Sequence, residues 1–230
     1  ELGQLYLLER KLPAAESAFQ TALKKDENNS EVHTALGVVL ASQGRVDAAN
    51  VHYKRAFQLN PQNVVAANNL AASLSEQQDL DDALGFARDA LALAPSNPAI
   101  KDTLGWVYYK QGRFDKAYPF LAEASAALPQ HPVVRYHHAV ALAKIGKQEE
   151  ALSELKTALS LPGGFPEADR AARMLAANKI EALHLISGSV RLVDDDGDGV
   201  GDRLVDGTWD AEMNLGLGLR HTPATFEGER

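Results

Sequence analysis

The densest chemistry in the sequence is a run of carboxylates near its C-terminus. Asp194, Asp195, Asp196, Asp198 and Asp202 are set among Gly197, Gly199 and Gly201. Counted from Asp194, the side chains of Asp194, Asp196, Asp198 and Asp202 take loop positions one, three, five and nine, and Val200 offers its carbonyl at seven. Gly199, at six, allows the sharp turn such a loop needs. Alternation of this kind points oxygen atoms at a common centre, which suits a hard cation. Four carboxylates so close repel one another unless positive charge sits among them. Ca2+ is the better match, because it takes more oxygen ligands in looser geometry than Mg2+ does. Asp206 can add a further carboxylate, while Asp195 is expected to face outward. The competing reading is a solvated acidic turn.

Other chemistry is sparse. The chain contains no cysteine, which removes disulfides, thiolate nucleophiles and Cys-ligated zinc. It contains no G-x-S-x-G, H-E-x-x-H, phosphate-loop or dinucleotide pattern, so enzymatic activity is not expected. Gly163-Gly164 lacks the Lys-Ser/Thr of a phosphate loop and reads as a turn. His137 and His138 are adjacent, hence on different helix faces, and with His131 they read as surface or interhelix residues rather than a zinc site.

The elements that must position any site follow from a repeat. Ala15, Ala49, Ala83, Ala117 and Ala151 are each 34 residues apart, and so are Ala22, Ala56, Ala90, Ala124 and Ala158. Pro61, Pro95 and Pro129 keep the same interval, as do Gly112 and Gly146, with Gly44 two intervals before Gly112. Within one period, apolar residues recur at helical spacing: Leu36, Val39 and Leu40, then Ala49, Tyr53 and Ala56. Each period therefore reads as a pair of helices. The alanines sit where helices approach closely, the central glycines end the first helix through positive φ, and the prolines close the second. A single pair cannot bury its apolar face, so pairs stack into a right-handed solenoid.

These residues resemble the tetratricopeptide repeat family. Its pattern of W-x2-L-G-x2-Y, then A-x3-F, A and P is met by Leu104, Gly105, Tyr108, Gly112, Phe114, Ala117, Ala124 and Pro129. It is met again by Leu36, Gly37, Gly44, Ala49, Tyr53, Ala56 and Pro61. Departures are Ala71 for the glycine, Ala87 for the aromatic and His138 for the leucine. The resemblance covers roughly residues 1–178 and implies a mainly α fold with five repeats in 1–165, the first one incomplete. It continues into a helix from Pro166 to about Lys179, within a cap or linker spanning 166–187, and a small β-rich segment follows over 188–230. The first repeat opens in mid-helix at Glu1, which implies further repeats upstream.

The resemblance further implies a concave groove lined by the first helix of each repeat, commonly taking an extended peptide. By repeat position that groove would show Val65, Asn68, Ala72, Asp102, Trp106, Tyr109, Val133, Tyr136 and Val140. Trp106 and Tyr109, three apart, share a helix face, and aromatics there give contact area at little entropic cost. The alternative places Trp106 in ordinary core packing. Paired Lys, Arg and Asn of a carboxylate clamp are missing, and Asn69 is followed in register by Thr103 and His137, so no asparagine ladder is expected.

The acidic loop resembles the D-x-D-x-D-G-x-x-D calcium loops of integrin-type, thrombospondin type 3 and dockerin-like segments. It departs from the helix–loop–helix calcium hand, since position twelve is Val205 and its flanks read as strands. Beyond it, Met213, Leu215, Leu217 and Leu219 fall on one face of a strand whose edge can pair with another copy. Charge is correspondingly uneven. Of a formal net −8, residues 190–230 hold ten acids against four bases, which leaves no basic stripe for nucleic acid. No apolar run is long enough to span a membrane. A loop suited to millimolar calcium points to an exported protein, at the cell surface, outside the cell or in the periplasm.

Three functions are compatible with this reading. The first is an interaction scaffold for a protein or peptide partner, with a calcium-stabilised tail. The second is a structural subunit that assembles head to tail into an extracellular filament. The third is an accessory region of a larger secretion or glycosyltransferase protein.

Overall fold

The structure, a computed structural model, describes the backbone of residues 1–187, 191–193 and 203–205, and side chains through residue 178. Among these residues the chain divides into two units, Glu1–Phe165 and Pro166–Arg230. The first unit is a stack of helical hairpins. It comprises α1 (Leu2–Leu8), α2 (Leu12–Lys25), α3 (Ser30–Ser42), α4 (Val46–Leu59), α5 (Val64–Glu76), α6 (Leu80–Leu93), α7 (Pro98–Lys110), α8 (Phe114–Ala127), α9 (Pro132–Lys144) and α10 (Gln148–Ser160). Odd-numbered helices are the first members of the five pairs. This is the all-helical solenoid that the 34-residue period implies.

Each hairpin is punctuated by the residues that recur. Asn29, Asn63 and Asn97 precede α3, α5 and α7, and each accepts a hydrogen bond from a backbone N–H of the first turn. A cap of this kind is worth about 1 kcal/mol. Gly44, Gly112 and Gly146 end α3, α7 and α9 with φ of 76°, 72° and 84°. At the corresponding places Arg10 and Gln78 adopt the same left-handed geometry, with φ of 55° and 64°, despite carrying a side chain.

The core lies between paired helices and between successive pairs. Ala15, Ala49, Ala83, Ala117 and Ala151 are all essentially buried, as are Ala56, Ala90, Ala124 and Ala158. Close approach is tightest at Gly37, where a Cβ would lie 2.5 Å from the Tyr53 ring, and next at Gly3 and Gly105, where it would lie 2.7 Å from Phe19 and Leu121. The departure in the third repeat is thereby explained. Ala71 can carry its methyl because its counterpart is Ala87 rather than a ring, and both are buried. The missing ring at 87 leaves the room that the methyl at 71 takes.

Neighbouring repeats are also tied along their turn edge. Gln43 Nε2 donates to Glu16 Oε2 at 3.0 Å, Gln77 to Asp47 Oδ1 at 2.6 Å and Gln111 to the Leu80 carbonyl at 3.2 Å. These glutamines follow the 34-residue period, and each reaches back to the second helix of the preceding pair. First helices of adjacent pairs touch (α5 with α7, α7 with α9), which places them on the inner side of the stack.

In the second unit α11 runs Ala168–Ser187. It starts two residues later than the sequence implies and ends eight residues beyond Lys179, because no Gly or Pro interrupts the chain before Gly188. Strands β1 (Arg191–Val193) and β2 (Arg203–Val205) pair antiparallel, with Val193 opposite Arg203. The loop ligands Asp194, Asp196, Asp198, Val200, Asp202 and Asp206, and the apolar series Met213, Leu215, Leu217 and Leu219, lie outside the described residues.

Candidate functional site

The inner face carries one concentrated cluster, built by α5, α7 and α9. Trp106, half-buried in the middle of α7, is its centre. The indole stacks on Tyr109 from its own helix (centroids 4.9 Å apart, planes 3° from parallel) and on His137 from α9 (3.9 Å, 15°). Its N–H donates to Glu76 Oε1 of α5 at 3.0 Å. Lys110, one residue past Tyr109, donates to the other Glu76 oxygen at 2.7 Å and sits 5.6 Å from the indole centroid. The position of Trp106 is thus fixed from three sides.

Electrostatics reinforce the geometry. His137 Nδ1 lies 3.0 Å from both oxygens of Asp102, whose side chain is only 13% exposed. A carboxylate only accepts, so Nδ1 carries the proton. Partial burial opposes ionisation of Glu76, but the hydrogen bonds from Lys110 and Trp106 outweigh it and hold the carboxyl below its usual range. Glu76 stays 61% exposed, so it still presents charge to the groove.

Asn68 and Ala72 precede Glu76 at four-residue intervals and share its face of α5. Asn68 Oδ1 is buried and accepts no hydrogen bond. Val65, one turn earlier, is 55% exposed. Asn69 belongs elsewhere: its side chain hydrogen-bonds Tyr53, so it serves the interface between repeats.

Of the residues assigned to the groove from sequence, the structure brings Asp102, Trp106 and Tyr109 together and sets Asn68 on the facing helix. Tyr136 is a correction. It is 1% exposed, with Phe165 5.5 Å and Trp106 6.3 Å from its ring. The cause is the extended last turn. Gly163 and Gly164, with φ of 99° and 63°, carry Phe165 back against the ring, at a position where the preceding repeats hold the smaller Thr34, Asn68 and Asp102. Val140 is likewise buried. Trp106 combines both readings, half in contact with α9 and half accessible. Sequence reasoning missed Glu76, Lys110 and His137. The first two occupy equivalent late positions of successive first helices, 34 apart, which was the available signal.

His137 and His138 do go to different neighbours: His138 stacks on Tyr118 and lies 3.7 Å from Glu154. No group of three or more metal-ligating side chains occurs among the described residues, and no helix among them is long and apolar enough to cross a membrane.

Tetratricopeptide repeat profiles match residues 1–63, 40–107, 74–140 and 108–178. The chain belongs to the tetratricopeptide repeat family. Among solved structures, a thermophilic repeat protein of Thermus thermophilus is 27% identical, with a TM-score of 0.59 over 78% of this chain and 96% of that one. PilF of Pseudomonas aeruginosa is 21% identical, with a TM-score of 0.64 over 81% and 85%. YrrB, described as having an unusual peptide-binding site, is 21% identical, with a TM-score of 0.58 over 77% and 88%. The latter two likenesses concern the fold alone. No curated protein matches the chain significantly.

Proposed function

We propose that this tetratricopeptide repeat chain is a non-enzymatic interaction scaffold whose inner face binds an extended segment of a partner protein. One observation carries the reading: the buried Asn68 Oδ1 has no hydrogen-bond partner in the free chain. An unmet buried acceptor costs about 1–3 kcal/mol. Turned out of its buried position, the Asn68 amide accepts a backbone N–H of a peptide laid along α5, while Val65, Glu76 and Tyr109 take side chains on either side. The Trp106 stack keeps the first helices of three repeats in fixed relation, which lowers the ordering cost of binding. The peptide-binding site named for YrrB supports the same reading by fold analogy.

Selection from a random linear peptide library on the whole chain tests it. Enriched peptides should lose about tenfold or more in affinity with Asn68→Ala and Tyr109→Ala, and nothing with Val51→Ser on the outer side. Peptides indifferent to both inner-face substitutions overturn the proposal.

For the C-terminal segment we propose a Ca2+ site formed by Asp194, Asp196, Asp198, Val200, Asp202 and Asp206. Its support is the strand register. Val193 pairs with Arg203, and the nine residues between them in sequence are those that hold the alternating ligands. Such a site fits an exported protein in millimolar calcium. At one hundred times Kd, calcium would add about 2.7 kcal/mol to the stability of whatever it holds. Calorimetric titration, with sizing in calcium and in chelator, tests the ion and also the filament alternative through Met213, Leu215, Leu217 and Leu219. Absence of binding heat in the wild type rejects the site, and unchanged size rejects calcium-driven assembly.

A further inference from the structure

A second cluster, remote from the Trp106 stack, lies at the joint between the first two repeats. His33 on α3 is buried and His52 faces it from α4, with the two Nδ1 atoms 2.9 Å apart. The other nitrogen of His33, Nε2, lies 3.0 Å from the carbonyl oxygen of Glu27, in the segment that leads from α2 into α3. That carbonyl only accepts, so Nε2 carries a proton. A neutral imidazole has one N–H, and His33 Nδ1 is therefore the acceptor. His52 must donate from its own Nδ1. The geometry fixes both tautomers, and the rings lie tilted at 32° with centroids 5.2 Å apart.

We propose that His33 and His52 form a protonation-sensitive latch that holds the connection into the second repeat. The bond exists only while His33 Nδ1 is bare. A proton there sets two N–H groups head to head at 2.9 Å, and with His52 also charged through its free Nε2 it sets two positive rings against each other. Among the described residues the only carboxylate that favours the charged form of His52 is Glu16, and burial, His33 and Arg45 together outweigh it. Arg45, at the start of α4, adds positive charge beside His52, and Glu16 of α2 is already bound by Arg45 at 2.8 Å and Gln43 at 3.0 Å. Burial first, then His33 and Arg45, hold the His52 imidazole below its usual range. The closed joint thus binds fewer protons at His52 than an open one, where an imidazole has its ordinary value of about 6.5. Stability of the closed form falls with acidity from about pH 6.5 downward, and each proton taken up on opening multiplies the open population by up to tenfold per pH unit. The element released is the Glu27–Asn29 segment, tied otherwise by Arg55 to Asn28 Oδ1 at 2.7 Å, by bonds to the Asp26 carboxylate and by the Asn29 cap on α3.

Hydrogen exchange of the full chain, corrected for intrinsic rates, reads the opening directly. Between pH 7.5 and 5.5, amides of residues 27–36 should lose at least tenfold more protection than amides of α7. His52→Gln, which keeps a donor but cannot take a proton, should reduce that excess to near unity. Nitrogen NMR of the wild-type histidines at pH 7.5 should find His33 protonated at Nε2 and His52 at Nδ1. Uniform loss of protection along the stack, an excess that survives in His52→Gln, or both rings protonated at Nε2 each overturn the latch.

Discussion

Substituting Gly37 with alanine should reverse the sign of its effect according to what stands opposite it. In the native chain the new methyl would lie 2.5 and 2.7 Å from two carbons of the Tyr53 ring. The ring cannot retreat cheaply. Tyr53 is 3% exposed, and burial pushes its phenol up to about 12 even with a hydrogen bond from Asn69. Overpacking of this kind costs about 1–3 kcal/mol. Against it stands the helix preference for alanine over glycine, about 1 kcal/mol. Gly37→Ala should therefore destabilise the chain by about 1–2 kcal/mol once strain of 2–3 kcal/mol is set against that gain.

Tyr53→Ala alone should cost about 3–5 kcal/mol, as for other buried aromatics. With the ring gone, nothing opposes the methyl at 37, and the pair recreates the Ala71–Ala87 arrangement of the third repeat. In that background Gly37→Ala should stabilise by about 1 kcal/mol, giving a coupling energy of about 2–3 kcal/mol. Urea unfolding followed by circular dichroism at 222 nm measures all four corners of the cycle, with constant slopes checking that the unfolding reaction is unchanged. Repeat stacks can unfold in stages, so the slope check matters. Equal effects of Gly37→Ala in both backgrounds, or a stabilisation in the native one, would refute the packing argument.

The left-handed turn positions and Glu76 respond to substitution in their own ways. Gln78 holds φ at 64° where Gly44, Gly112 and Gly146 stand in other repeats. Gln78→Gly should raise stability by about 0.5–1 kcal/mol in urea unfolding, whereas Gly112→Ala should lower it by about 1 kcal/mol. Glu76 is held below its usual range, so its stabilisation is present above the unfolded carboxyl value and is lost as pH falls through the folded one. Because Glu76 is largely exposed, that contribution should stay below about 1 kcal/mol. Comparing thermal melts of wild type and Glu76→Gln from pH 6 to 3 should find a slightly shallower acid loss in the variant.

What could be read from sequence, and what could not, divides along the origin of each constraint. Backbone punctuation and close helix approach act through residue type alone, so the 34-residue alanines, the turn glycines and the prolines located the hairpins. The Gln43, Gln77 and Gln111 ties keep that period too, but polar residues at helix ends have many uses and their partners appear only in three dimensions. The groove was legible as a surface and only partly as chemistry. Position alone placed Asn68, Asp102 and Tyr136 in equivalent sites, yet their neighbours give them three different fates: an unmet acceptor, a hydrogen-bonded carboxylate and a covered core ring. Tyr136 is covered because one loop is longer and ends in Phe165, an irregularity no periodic argument contains. A repeat therefore predicts where side chains emerge, and the breaks in the repeat decide what they do. By that logic the distinctive features of this groove concentrate where the period fails: at His137 in place of Asn69 and Thr103, and at Trp106 where the equivalent residue of the preceding repeat is Ala72. Those two side chains stack on each other at 3.9 Å. Departures from a repeat that meet in space, rather than merely coexist in sequence, are what a binding surface requires.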